Sequence, residues 1–150
     1  MRFYLVVASA GLLGLLVSSA VVAQDADPIE ARQDRMEAVG DAAEAAGKMM
    51  KGETPFDAQV AAEIFSTMNE SITGFTELFP EGSETGGETR AAPAIFEQPD
   101  EFRERAEEFE ADTAAAMEAA PQTLEAFQTA FGDVSQNCRA CHEDFRLPEN

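Results

Sequence analysis

An all-α fold, an antiparallel four-helix bundle with a long loop between its second and third helices, is the architecture this sequence predicts. Three observations carry that prediction. Prolines cut the chain into segments, apolar residues recur within each segment in steps of three and four, and no segment sustains the alternation of a strand. Near-heptad spacing favours shallow crossing angles, and short turns make neighbouring helices antiparallel. No internal repeat or second domain interrupts residues 24–150, which therefore read as one bundle.

Residues 1–23 are set apart from it. Met1-Arg2 gives a positive start, an apolar run follows from about Phe3 to Val22, and Val21-Val22-Ala23 supplies small residues before Gln24. That layout predicts a signal peptide cleaved after Ala23 and an exported protein. The alternative is an uncleaved anchor, since the run is about long enough to span a bilayer; the small residues at its end favour cleavage.

The first helix opens at Asp27-Pro28-Ile29-Glu30, an N-cap, a proline at the first helical position and an acid two residues on. Ile29, Met36, Ala43 and Met50 then recur in sevens, with Val39 and Ala46 between them, until Gly52. Thr54-Pro55-Phe56-Asp57 reads as a second start. Val60, Ile64, Met68, Ile72, Phe75 and Phe79 mark the second stripe, expected to stop at Pro80. Residues 80–98 lose all periodicity to glycine and proline. A loop of that length in a small domain is uncommon and often functional.

Pro99 opens the third helix, with Phe102, Ala106, Phe109, Thr113, Ala116 and Ala120 on one face. Pro121 is expected to restart the pattern for Leu124, Phe127, Phe131, Val134, Cys138, Cys141 and Phe145. Phe75, Phe79, Phe127 and Phe131 are expected in the core, some of them lining whatever the core holds.

Charge narrows the partners. Without residues 1–23 the chain has nine basic and 29 acidic residues, a net charge of −20. Such a surface repels nucleic acid and anionic lipid, so neither nucleic acid nor, after cleavage, a membrane is expected as a partner.

The chain's two cysteines and its single histidine fall together in Cys138-Arg139-Ala140-Cys141-His142, on the apolar face of the fourth helix. Thiols at i and i+3 of a helix do not reach disulfide geometry without distortion. A redox pair of the thioredoxin type belongs beside a βαβ pattern, which is absent here. A closed zinc site wants four ligands, and nothing in the spacing supplies the rest. Two thioethers to a haem do fit, because they need thiols one helical turn apart and a following imidazole under the iron. Cys-x-x-Cys-His is the attachment signature of c-type haem, with histidine a usual axial ligand. One haem c, attached through Cys138 and Cys141 and ligated by His142, is expected.

Taken together, Arg32-Gln33 followed by Met36, KGETPFD at 51–57, LFPEGS at 78–83, GETR at 87–90, AFGDV at 130–134 and CRACHEDFR at 138–146 resemble the cytochrome c′ family, class II among the c-type cytochromes. Cytochromes c′ are themselves standard examples of the four-helix bundle, which is the fold the resemblance implies. The resemblance implies haem contacts from Arg32, Gln33, Glu88 and Thr89, with Met36 packing over the open iron face and Arg146 lining the histidine side. One departure is Phe96, where many relatives carry tryptophan.

The residues speak to some of this directly. Arg32, three after Ile29 and four before Met36, lies on the inward seam of its helix. A guanidinium there needs an anion, which a haem propionate supplies; snorkelling off the helix end is the alternative. For Met36 the alternative is core packing, and for Arg146 a favourable cation at a helix C-terminus.

The resemblance further implies binding of nitric oxide or carbon monoxide in the periplasm, electron exchange with a partner protein of unknown identity, and homodimers packed through the first two helices. Ala38, Ala42 and Ala45 would permit that packing. The rival expectation is a six-coordinate, low-spin electron carrier with Met36 as second axial ligand. A peroxidase-like enzyme would want a second histidine as distal base, and the chain has none, so a non-enzyme is expected.

Overall fold

A computed structural model describes residues 27–148; the leader segment lies outside them. Among the described residues there are five helices: α1 (Pro28–Met50), α2 (Ala58–Ile72), α3 (Ala94–Glu97), α4 (Pro99–Ala119) and α5 (Leu124–Phe145), with a 3-10 turn at Phe75–Leu78. The four long ones form the bundle.

Proline proved a good guide to two of the four starts. Asp27 caps α1 by accepting from the Ile29 N–H at 2.8 Å, with Pro28 at the first position, and Pro99 opens α4. The other two starts move downstream. Asp57, not Thr54, caps α2, its carboxylate accepting from the amides of Gln59 and Val60. Thr123 caps α5 through the Ala126 amide, so Pro121 lies in the preceding turn. A proline tolerates the first turn; a side-chain oxygen that reaches orphan amides creates it.

The second stripe also ends earlier than Pro80. Gly74 turns left-handed (φ 66°) after Thr73, and the chain tightens into the 3-10 turn that still points Phe75 inward. Val60, placed on the apolar stripe by its spacing, is exposed. The loop at 80–98 is not wholly irregular, since it contains α3 with Ile95 buried. Its crossing of α1 needs glycine: Gly87 has φ 51°, and a Cβ there would sit 3.4 Å from Ile29 Cγ2.

Phe65, Phe127, Met68 and Val134 are the largest fully buried apolar side chains, with Phe65 and Phe127 rings 5.4 Å apart. Thr113 is buried with them because its hydroxyl donates to the Phe109 carbonyl at 2.8 Å and accepts from Asn69 Nδ2 at 2.9 Å. That pair stitches α4 to α2. Ala42 is buried in the chain's own core, which corrects its assignment to an outward packing face; Ala38 and Ala45 are half-buried.

At the end of α4, Ala120 takes φ 41°, ψ 61°, a left-handed conformation in which a Cβ is strained. Ala120→Gly should therefore stabilise the protein by about 0.5–1 kcal/mol. A thermal unfolding curve checks this, and an unchanged or lower midpoint would refute it.

The helices pack in a ring that is not evenly closed. α1 lies against α2, α2 against α4 and α4 against α5, each along its length, whereas α1 and α5 touch at few points.

Candidate haem site

The loosely closed α1–α5 seam holds a cavity of about 530 Å³, within the roughly 300–1,000 Å³ usual for ligand sites. Helix α1 supplies one wall with Arg32, Gln33, Met36, Val39, Gly40 and Ala43. Helix α5 supplies the facing wall with Asn137, Cys138, Cys141, His142, Phe145 and Arg146. The floor comes from α2 and the 3-10 turn (Ile72, Phe75, Phe79) and from α4 (Phe102, Arg105, Ala106, Phe109), and the 88–91 loop lines the rim. All the residues picked out from the sequence, Arg32, Gln33, Met36, Glu88, Thr89, Cys138, Cys141, His142 and Arg146, line this one cavity.

The seam is cationic at one end and apolar through its middle. Arg32 is 4% exposed although it carries a charge, because oxygens surround it. Its terminal nitrogens donate to the Leu78 carbonyl (3.2 Å), Ser83 Oγ (3.1 Å), the Ser83 carbonyl (2.8 Å) and Thr89 Oγ1 (2.7 Å). The guanidinium carbon also lies 4.6 Å from the centre of the ring of half-buried Phe79, a cation–π contact. Burial lowers the Arg32 pKa and Asp27 opposes that shift. A carboxylate held here would share a guanidinium that the 78–89 loop already engages.

Gln33 Nε2 donates to the Glu88 carbonyl at 3.1 Å, so Glu88 joins the site's framework through its backbone. A second set of bonds ties the loop to α5. Ala91 and Arg146 form an antiparallel bridge. The Ala92 amide donates to the Phe145 carbonyl at 3.0 Å and the Leu147 amide to the Arg90 carbonyl at 2.8 Å. Arg90 closes the clasp by donating from Nε and one terminal nitrogen to the Leu147 carbonyl.

Cys138 and Cys141 are half-buried free thiols. Burial raises both pKa values, that of Cys141 to about 11, so at neutral pH they are thiols rather than a thiolate pair awaiting a cation. No group of three or more His, Cys, Asp and Glu side chains among the described residues could hold a metal ion. His142 lines the cavity while staying exposed. Desolvation lowers its pKa, and the positive charges of Arg146 and then Arg90 lower it further, so a neutral imidazole with a free lone pair is favoured.

These residues fit haem c. Two thiols one turn apart sit on the wall of an apolar cavity, with an adjacent neutral imidazole to ligate iron and cations at the rim for propionates. Arg105 adds an unanswered donor, since it lines the cavity and its buried Nε has no hydrogen-bond partner. Haem c supplies an iron that changes oxidation state and accepts an axial ligand; the protein supplies the tether, the ligand and the exclusion of water.

Arg90, Arg105 and Ser83 were not singled out from the sequence. Ser83 and Arg90 lie inside quoted motifs. Arg105 follows Phe102 by three on α4, at the margin of its apolar stripe, and that was its only signal.

Comparison with known proteins gives this site its family. The family model described as Cytochrome C′ matches residues 27–146. A cytochrome c-556 of Agrobacterium fabrum is 34% identical over 141 residues, covering 94% of each chain. A cytochrome c′ of Rhodopseudomonas palustris is also 34% identical, over 146 residues, covering 94% of this chain and 97% of the relative. The solved structure of cytochrome c′ from Rhodopseudomonas palustris superposes with a TM-score of 0.79 at 30% identity, covering 83% of this chain and 98% of that one. The chain belongs to the cytochrome c′ family, a c-type haem protein whose haem is held covalently by its two cysteines.

Proposed function

We propose that this is a periplasmic, five-coordinate haem protein, with His142 as the sole protein ligand to iron, that binds nitric oxide and carbon monoxide and exchanges electrons with a partner protein. The observation that carries the reading is the wall facing His142. Across the seam α1 offers a guanidinium, an amide, a thioether and apolar groups, and the chain has no second histidine. The polar donors there are already committed: Arg32 to the 78–89 loop and Gln33 to the Glu88 carbonyl. Oxygen gains most from a distal hydrogen bond, so this wall disfavours it relative to carbon monoxide and nitric oxide. Without a distal base there is no general acid or base for peroxide chemistry, and we assign no enzymatic activity.

The second reading makes Met36 an axial ligand and the protein a low-spin electron carrier. Met36 lines the cavity, half-buried, and holds the thioether closest in kind to an iron ligand on that wall.

Visible absorption of the purified protein, oxidised and reduced, separates the two. The first reading expects a high-spin ferrous protein in which Met36→Ala raises carbon monoxide affinity. A thioether that must take a strained rotamer to admit a ligand costs on the order of 1 kcal/mol, which is about fivefold in affinity. A low-spin wild type that Met36→Ala converts to high-spin would replace it with the second reading.

Export is proposed from residues 1–23 and is tested by the mass of the mature chain, expected to begin at Gln24. Self-association through α1 and α2 follows from the family resemblance, with Ala38 and Ala45 available, and is tested by sedimentation.

A further inference from the structure

Gly40 has no explanation in the polypeptide. It sits in the middle of a 23-residue helix, where glycine is the poorest residue after proline. Its backbone is helical, so no left-handed turn requires it. A Cβ built at the position meets nothing within 4 Å, so no neighbour requires it either. Alanine would fit and would strengthen the helix.

What Gly40 does have is a place on the cavity wall, one turn after Met36. Gly47 and Gly132 have equally open surroundings, but they do not line the cavity. Helical side chains lean toward the N-terminus, so a residue covers the surface of the turn before its own Cα. A side chain at position 40 would therefore cover the strip beside Met36. Its absence leaves that strip of the cavity wall bare, one turn after the residue that carries the thioether. Methionine is unbranched and flexible enough to use such a space, while Val39, which also lines the cavity, is buried and β-branched.

We propose that Gly40 is the specificity-determining residue for ligand entry: the space left by its missing side chain receives the Met36 side chain when a diatomic ligand enters the cavity. This rests on the five-coordinate reading above. Residue 40 then sets the ease with which the wall opens, and Met36 is the part that moves.

The test uses the holoprotein and carbon monoxide. In ferrous Gly40→Ala, association by stopped flow should slow about fivefold or more, whereas the urea midpoint of unfolding should stay level or rise. In a Met36→Ala background the same substitution should change the association rate less than twofold, because no side chain needs the space. Gly40→Ser, which is also small, should behave as Gly40→Ala does. Wild-type association rates in a stable Gly40→Ala overturn the proposal. So does an equal slowing in both backgrounds, which would mean a direct block of the ligand. A clear loss of stability, or failure to yield holoprotein in both variants, overturns it too, since glycine would then be needed for packing. A low-spin ferrous wild type is the separate result that removes the five-coordinate reading and this proposal with it.

Discussion

Alanine at both Cys138 and Cys141 should leave a polypeptide that gives up all its colour to acid-acetone, while the wild type keeps its haem through the same extraction and through denaturation. The mass of the wild-type chain should exceed that of the polypeptide by one haem. The variant should also be far less stable, for reasons that lie in the seam. A sealed apolar cavity destabilises by about 24 cal/mol per Å³. The 530 Å³ cavity opens to water, so only part of that applies; a third of it would be about 4 kcal/mol. Total stabilities run to about 5–15 kcal/mol, so the variant should unfold at much lower urea than the holoprotein. Either single substitution should lower the yield of haem-bearing protein. A double variant that retains colour would refute covalent attachment.

Arg32→Ala should cost about 2–4 kcal/mol in the holoprotein, read from urea unfolding. The substitution removes four donated hydrogen bonds at once and strands the Ser83 carbonyl inside, while the Ser83 hydroxyl keeps its bond to the Pro80 carbonyl. Each buried group left without a partner costs about 1–3 kcal/mol; Leu78 and Thr89 are only half-buried, so water recovers part of their share. The 78–89 loop should loosen with it, and the redox potential should shift as a propionate loses its cation. Arg32→Lys should recover little, since one ammonium cannot serve four oxygens in fork geometry. A loss below about 0.5 kcal/mol would identify Arg32 as an ordinary surface residue.

Local signals in the sequence proved the most readable ones. Spacing alone put Cys138, Cys141 and His142 on one helix face, and all three line the one cavity. The inward positions of Phe75, Phe127 and Phe131 follow from period, and all three are buried. The starts at Thr54-Pro55 and Pro121 misled because proline tolerates a first turn without creating one, and the capping oxygens of Asp57 and Thr123 stand further along. The partners of Arg32 lie 46 to 57 positions away, and those of Arg90 lie 57 away. No periodicity reports which distant carbonyl a guanidinium will find. Sequence placed Arg32 on the inward seam and proposed an anion for it; the loop carbonyls that hold it are a property of the folded chain.

The uneven ring also bears on assembly, and local contact order favours one sequence of pairing. Every long interface joins helices that follow one another along the chain, α1 to α2, α2 to α4 and α4 to α5, so each can form as soon as its second member is available. Contacts of this local kind form early and fast. Only the α1–α5 seam joins the two ends of the described chain, and the attachment residues lie on the later of its two sides. Three helices can therefore pair without the segment that carries the cofactor's tether. The haem serves as structural filling in the one seam where neighbouring long helices touch at few points, and the Ala91–Arg146 bridge ties the loop to the end of α5 beside it.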